Sequence, residues 1–305
     1  MVEWGDWESG IKFKFVPYSK YYQSLLAKIF YKIWTWRNSA DIYLINFLYH
    51  GELSIPKTST IFYVLHSPAT LIPKRYEFIK AEYQKNKNLK FISVSNFVKK
   101  SSEPYFDNNS NSVIHHGIDL AKIKQKNDYH QNGKLKILTV AALESWKGIQ
   151  HVISAFSSKA IKENFVYHII GEGPYRKELS RQIKKYNIED SVILLGWKNF
   201  VESLYCKYDI YCQLSEGEAF GLSVIEAMGA GLPTIVYDIP PFDLLFSSDK
   251  VIKIEKNNNE QLKLKLRNLL NTDARQKLGL RGQEFVSNNF TLEKMANDYN
   301  DLFDY

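Results

Sequence analysis

The chain has 305 residues, of which 45% are hydrophobic and 24% charged, with a formal net charge of +7; this is a soluble globular composition with room for two domains. No uninterrupted apolar run reaches the length of a membrane span, and an N-terminus carrying Glu3, Asp6 and Glu8 does not resemble a signal peptide, so the expectation is a cytoplasmic protein. Cys206 and Cys212 share one apolar region without ligand spacing, which reads as buried free thiols rather than a disulfide or zinc site.

In chain order the first half alternates apolar runs with helical patterns. Ile11 to Val16 reads as a strand, Ser19 to Arg37 as a helix, Ile42 to Leu48 and Ile61 to Leu65 as strands, Pro73 to Lys85 as a helix and Phe91 to Val94 as a strand. A helix from Ser95 and a strand at Val113 to Ile114 follow. The excess of positive charge lies here, with 18 Lys and Arg against 11 Asp and Glu in residues 1–130, and 22 against 22 in residues 131–305. A basic half can serve nucleic acid, an anionic membrane surface or an anionic substrate, and nucleic acid is the weakest of these. The segment 19–37 combines Lys20, Lys28, Lys32 and Arg37 with many aromatic and aliphatic residues and no acid. It suits the headgroup region of an anionic bilayer, which would make the protein peripheral on the inner face of the membrane. A core helix whose lysines snorkel from its outer face has the same pattern.

The polar stretch Lys122 to Lys134 reads as a linker. Beyond it the βαβ rhythm restarts: Leu135 to Val140, a helix from Gly148 to Ser158, Val166 to Ile170, a helix from Pro174 to Tyr186, Val192 to Leu195, and a short helix at Val201 to Lys207. A strand at Asp209 to Leu214, a helix from about Phe220 ended by Gly229 and Gly231, a strand at Thr234 to Val236, and helices at Gln261 to Leu270, Asp273 to Asn289 and Leu292 to Phe303 complete the chain. The expected class is α/β, with two Rossmann-like doubly wound domains. Residues 1–127 form the first and 128–290 the second, and a C-terminal helix at 291–305 rejoins the first.

In such sheets ligands settle beyond the carboxyl ends of the strands. The most informative stretch there is Ser215 to Pro233, in which Glu218 and Glu226 flank the turn that opens a helix. Free main-chain N–H groups and the positive end of a helix dipole favour a diphosphate, and Gly221 lets the backbone approach it. Glu218 then lies at the mouth facing a sugar, while Glu226, two turns along, can accept hydrogen bonds from vicinal ribose hydroxyls. A solvated glutamate pair on a surface helix is the plain alternative. Three other loops fall at the same edge: Lys147 just before a helix start, the glycine pair of Gly171-Glu172-Gly173-Pro174, and Gly196-Trp197-Lys198, whose backbone could read a base edge. Each is a weak signal alone.

Together these motifs resemble those of retaining glycosyltransferases of family 4, which have the GT-B fold. EAFGLSVIE (218–226) matches the family's two glutamates separated by seven residues, Gly231-Leu232-Pro233 its Gly-x-Pro, and VAALESWKG its strand, small residues and Lys-Gly. GEGP and GWK match its two remaining loops, and His116-Gly117-Ile118-Asp119 stands where the family often has Asn-Gly-hydrophobic-Asp. The likeness covers roughly residues 110–305. It implies two domains facing across a cleft and transfer of a sugar from a nucleoside diphosphate sugar, with a UDP-sugar favoured, to a glycan or lipid-linked acceptor in surface polysaccharide or glycoconjugate synthesis.

By the same resemblance Glu218 would contact the donor sugar, Lys147 would neutralise the leaving diphosphate, and His66 would be the first-domain histidine that approaches the transferred sugar. Ala219, Phe220, Gly221 and Leu222 would hold sugar and phosphate, Glu226 would bind ribose, and Gly171, Gly173, Trp197 and Lys198 would complete the donor site. No Asp-x-Asp motif occurs, so neither a metal nor another cofactor is expected. Two departures stand out. Ala142 occupies the position of the family's usual arginine, and the glycine-rich loop normally found after the first strand is not recognisable. They motivate the alternative of a non-catalytic subunit that binds a partner transferase. A nicotinamide-dependent oxidoreductase is a third reading, weakened because GEGP lacks the full dinucleotide fingerprint.

Overall fold

The computed structural model describes residues 13–15, 42–45, 59–86, 88–131 and 133–303. The basic segment 19–37 lies outside them, and so does the proposed membrane contact. Contacts divide the chain into two compact units, one running to His115 and taking in the chain from Asp298, the other spanning His116–Asn297.

In the first unit five strands, β1 (Phe13–Phe15), β2 (Ile42–Ile45), β3 (Thr60–Leu65), β4 (Leu89–Ser93) and β5 (Asn111–Val113), lie in that order in one parallel sheet. The run IFYVL of β3 is buried throughout, as befits a strand covered on both faces. Helix α1 (Pro73–Lys85) opens on a proline, whose missing N–H costs nothing in the first turn. Helix α2 (Asn96–Ser102) is capped by Ser95, whose Oγ accepts from the Val98 amide at 3.2 Å. Phe91 and Phe106 stack at 3.9 Å in the core.

The second unit contains β6 (Leu135–Val140), α3 (Ile149–Ala155), α4 (Lys159–Asn164), β7 (Phe165–Ile170), α5 (Arg176–Lys185), β8 (Val192–Gly196), β9 (Ile210–Gln213), α6 (Leu222–Gly229), β10 (Thr234–Tyr237), α7 (Phe242–Leu245), β11 (Ile252–Ile254), α8 (Asn259–Asn268), α9 (Thr272–Asn289) and α10 (Leu292–Phe303), the last crossing into the first unit. Its six strands are parallel in the order β11-β10-β9-β6-β7-β8. Counted from β6, this is the 3-2-1-4-5-6 order of a doubly wound sheet, which reverses direction between β6 and β9. Val152, Ile161, Leu179 and Leu262, one from each of α3, α4, α5 and α8, are buried with Ile137, Tyr167 and Ile169 of the sheet.

Four details differ from the sequence reading. The helix expected over 148–158 is α3, which stops at Ala155, and α4 beyond it was not anticipated; the hydroxyls of Ser154 and Ser157 bond back to the carbonyls of His151 and Ser154, a competition that weakens a helix at this point. Residues 201–207 form two 3-10 turns instead of one helix. Helix α7 and strand β11 were not anticipated, since four and three residues carry no legible period. Cys212 is buried but Cys206 is only half-buried.

The stretch read as a linker is instead part of the second unit's packing. Ile123, Lys126 and Tyr129 are buried. The Lys126 ammonium pairs with Asp209 at 3.0 Å, and the Tyr129 hydroxyl donates to the Gly231 carbonyl at 2.6 Å. Arg275, fully buried, donates to the Tyr129 carbonyl at 2.7 Å. Polar composition hid this packing, because lysine and tyrosine bury long apolar stems while their tips find partners.

Candidate active site

The reversal point between β6 and β9 places two loops side by side. After β6 the chain makes a 3-10 turn at Ser145–Lys147 and enters α3 through Gly148, at φ 68°. A β-carbon there would collide with the Leu214 carbonyl, so only glycine allows the loop after β6 to pack backbone to backbone on the loop after β9. The Glu216 amide donates to the Trp146 carbonyl at 2.7 Å across the same seam.

This seam brings Lys147 and Glu218 together. The ammonium lies 2.6 Å from Glu218 Oε1, and the two side chains are 15% and 11% exposed. The Gln213 amide, at the end of β9, donates to the same oxygen at 2.8 Å. Lys147 also lies 4.1 Å from the centre of the Trp146 ring, a cation–π contact. Glu218 Oε2 accepts no hydrogen bond among the described residues, and a lysine ammonium has three N–H donors, so both side chains keep capacity for a ligand. Glu216 anchors the loop from its other side through Lys256 at 2.7 Å and His151 at 3.4 Å. The Lys256 ammonium holds the Glu216 carboxyl below its ordinary range.

Helix α6 begins immediately beyond. Gly221, at φ 91°, precedes its first residue, and a β-carbon there would come within 2.5 Å of the Phe242 ring. The first N–H groups of α6 have no intrahelical acceptor and point toward the helix's N-terminal end. Phe220 is buried edge-on between His116 and Phe290, with ring centres at 5.3 and 5.7 Å. Along α6, Glu226 Oε2 accepts from the Tyr205 hydroxyl at 2.7 Å. Burial pushes the Glu226 carboxyl above its ordinary range, and the negative charge of Glu202 adds to the effect. Burial raises the Tyr205 phenol well above its usual value, which keeps it a donor.

The remaining loops border this arrangement. The Leu143 amide donates to the Glu172 carbonyl at 3.0 Å and the Gly171 amide to the Gly196 carbonyl at 2.9 Å, which joins the loops after β6, β7 and β8. Gly173 sits where a β-carbon would lie 2.5 Å from the Leu143 carbonyl oxygen. Trp197 is 66% exposed; neither it nor Lys198 hydrogen-bonds to Lys147, Glu218 or Glu226. Ala142 is exposed and contributes no charge, while Arg176 on the neighbouring loop is engaged by Glu172 at 2.9 Å. In the first unit His66 follows β3 on a loop tied to both helices. The Tyr76 hydroxyl donates to the Ser67 carbonyl at 2.8 Å, and Ser101 Oγ accepts from the Ala69 amide at 3.0 Å.

Gln213, Tyr205 and the Glu216–Lys256 pair were missed in the sequence. The signal that could have pointed to Gln213 is a polar residue at the end of the otherwise apolar run IYCQ.

The family model of the glycosyl transferases group 1 matches residues 121–285, more than half of the chain. The chain belongs to this family. Within it, the group 1 glycosyl transferase described here is 30% identical over 257 residues to an uncharacterized glycosyltransferase of Methanocaldococcus jannaschii, covering 81% of this chain and 68% of that one. It is 37% identical over 123 residues to the GtfA subunit of the UDP-N-acetylglucosamine–peptide N-acetylglucosaminyltransferase of Streptococcus agalactiae, covering 40% of this chain but 24% of the subunit. Among solved structures, HepE of Anabaena in complex with UDP and glucose aligns with a TM-score of 0.75 at 16% identity, over 87% of this chain and 78% of that one. Structures of this kind are GT-B glycosyltransferases, and the two parallel α/β units of this group 1 glycosyl transferase are the domains of that fold. No helix among the described residues is long and apolar enough to cross a membrane.

Proposed function

We propose that this chain is a retaining, metal-independent hexosyltransferase of family 4. It would move a sugar from a nucleoside diphosphate sugar to a glycan or lipid-linked acceptor in surface polysaccharide or glycoconjugate synthesis. One observation carries the reading: the Lys147–Glu218 pair stands beside the N-terminus of α6, with Glu226 farther along the same helix. A diphosphate fits between them, with its charge met by the Lys147 ammonium and the helix N-terminus, so these groups take the part a metal ion plays elsewhere. Glu218 Oε2 accepts from a hydroxyl of the donor sugar, and Glu226 accepts from ribose. Similarity to the GtfA subunit of the streptococcal UDP-N-acetylglucosamine–peptide N-acetylglucosaminyltransferase supports a UDP-sugar donor.

In the transfer the acceptor oxygen forms its bond to the anomeric carbon on the face from which the diphosphate departs. The carbon–oxygen bond to phosphate breaks with its electron pair going to the diphosphate, and the acceptor's proton passes to a departing phosphate oxygen. No protein base is consumed. The basic first half would receive a negatively charged acceptor, or a membrane surface through residues 19–37.

A second reading, a non-catalytic subunit that binds a partner transferase, is favoured by Ala142, which leaves Lys147 as the cation of the loop after β6. Assays of donor hydrolysis and sugar transfer by the purified protein, with Glu218→Gln and Lys147→Ala as controls, separate the two. Transfer by the wild type that is strongly reduced in both variants supports the enzyme; tight nucleotide binding without turnover of any donor supports the subunit.

A further inference from the structure

We propose that Gln213 is a positioning residue that turns one oxygen of Glu218 toward the donor sugar, an assignment that rests on the function proposed above. Gln213 is buried, 1% exposed, at the carboxyl end of β9. Its Oε1 receives two hydroxyls, Tyr211 at 2.7 Å from its own strand and Ser223 at 2.7 Å from the first turn of α6. Its Nε2 donates to Glu218 Oε1 at 2.8 Å.

This network has one consistent arrangement of hydrogens. An ionised carboxylate only accepts, so the amide nitrogen must face Glu218; the amide oxygen then faces Tyr211 and Ser223, which both donate, Tyr211 at 2.7 Å in preference to its longer 3.3 Å approach to the Val140 carbonyl. Flipping the amide would set an oxygen against the carboxylate and leave both hydroxyls facing an NH2 group. The side chain therefore connects sheet, sugar-facing carboxylate and diphosphate-facing helix turn in one rigid unit. Lys147 and Gln213 both converge on Oε1, which leaves Oε2 as the oxygen presented to a ligand. A carboxylate held by the lysine alone could rotate about its terminal torsion, which is broad for glutamate.

The test uses Gln213→Met, close in volume, and Gln213→Glu, which keeps the shape. Gln213→Met is expected to lower kcat/KM for the donor at least tenfold while the Kd for the bare nucleoside diphosphate stays within twofold, because the sugar alone meets Glu218. In a Glu218→Gln background the same substitution is expected to add less than a twofold loss. Gln213→Glu is expected to be impaired at pH 8 and to recover severalfold relative to wild type toward pH 6, since a protonated carboxyl donates where the amide did. The titratable groups around it are Tyr211, Glu218, Lys147 and, more distantly, Glu226. Parallel losses of nucleotide binding and transfer, multiplicative losses in the Glu218→Gln background, or no recovery of Gln213→Glu on acidification would overturn the assignment. Wild-type transfer with an unaffected Gln213→Met would overturn it alone, whereas a wild type that uses no nucleoside diphosphate sugar overturns the proposed function and this assignment together.

Discussion

The two carboxylates of the site sit in opposite surroundings. Glu218 is held by a cation, itself over the face of Trp146, and by a buried amide, both on the same oxygen. Glu226 is held by a neutral phenol in a buried niche with Glu202 as its charged neighbour. Under the proposed function, one end of the site would meet the charge that develops on a leaving group, and the other would recognise neutral hydroxyls. Substitution of a cation should act on the first end, and acidification should act on the second.

The scaffold common to both ends is the most sensitive point. Gly148→Ala places a methyl group on the Leu214 carbonyl at a left-handed backbone, a cost of about 3 kcal/mol or more. It should lower the thermal midpoint by several degrees and remove nucleotide binding at both ends; a variant with wild-type Tm would mean that the loops after β6 and β9 do not rely on this contact.

Lys147→Ala should break the comparison at one end only. Transfer is expected to fall on the order of a hundredfold, the effect of removing one preorganised group that stabilises developing charge, while the affinity for a nucleoside that lacks phosphate is unchanged. Steady-state kinetics and equilibrium binding of the nucleoside check this.

Acidification sharpens the other end. The raised pKa of Glu226 means that, as pH falls, it takes up a proton before an ordinary carboxyl does and loses capacity to accept ribose hydroxyls, so donor affinity should weaken on the acid side. Glu226→Gln should flatten this limb of the binding profile and weaken binding about tenfold at neutral pH, by loss of charge-assisted hydrogen bonds. Its folded-state preference for the neutral form also fixes the stability sign: deprotonating Glu226 as pH rises costs stability, so Glu226→Gln should melt slightly higher than wild type above neutrality.

The smallest effect belongs to Trp146. Trp146→Ala removes the aromatic face over Lys147, worth about 0.5–1 kcal/mol at a partly exposed position, and should reduce kcat/KM about two- to fivefold without changing the pH profile.

The sequence made the second unit's strands legible because parallel strands covered on both faces are mostly apolar, as in LKILTV and FVYHII, where Lys136 and His168 are the charged or titratable interruptions and stay partly or fully exposed. Glu218, Lys147, Gly221 and Glu226 stood out in the sequence because glycine, a helix start and charge at this spacing are what a diphosphate site would need; the structure pairs Lys147 with Glu218 and sets Gly221 before α6. Gln213, Tyr205 and Lys256 were not, because they reach the site from a strand end, a 3-10 turn and the loop after β11, and only the folded sheet brings those points together. The burial of 123–131 was concealed for a related reason: Lys126 and Tyr129 read as polar until Asp209 and the Gly231 carbonyl supply their partners.

The most direct test of a nucleoside diphosphate sugar lying between Glu218 and Glu226 is equilibrium binding of the nucleoside diphosphate and of its sugar conjugate to the wild type, Glu218→Gln and Glu226→Gln. The account predicts that Glu218→Gln loses the affinity added by the sugar and keeps that for the nucleoside diphosphate, while Glu226→Gln weakens both ligands equally. Wild-type affinity of both variants for both ligands would contradict it.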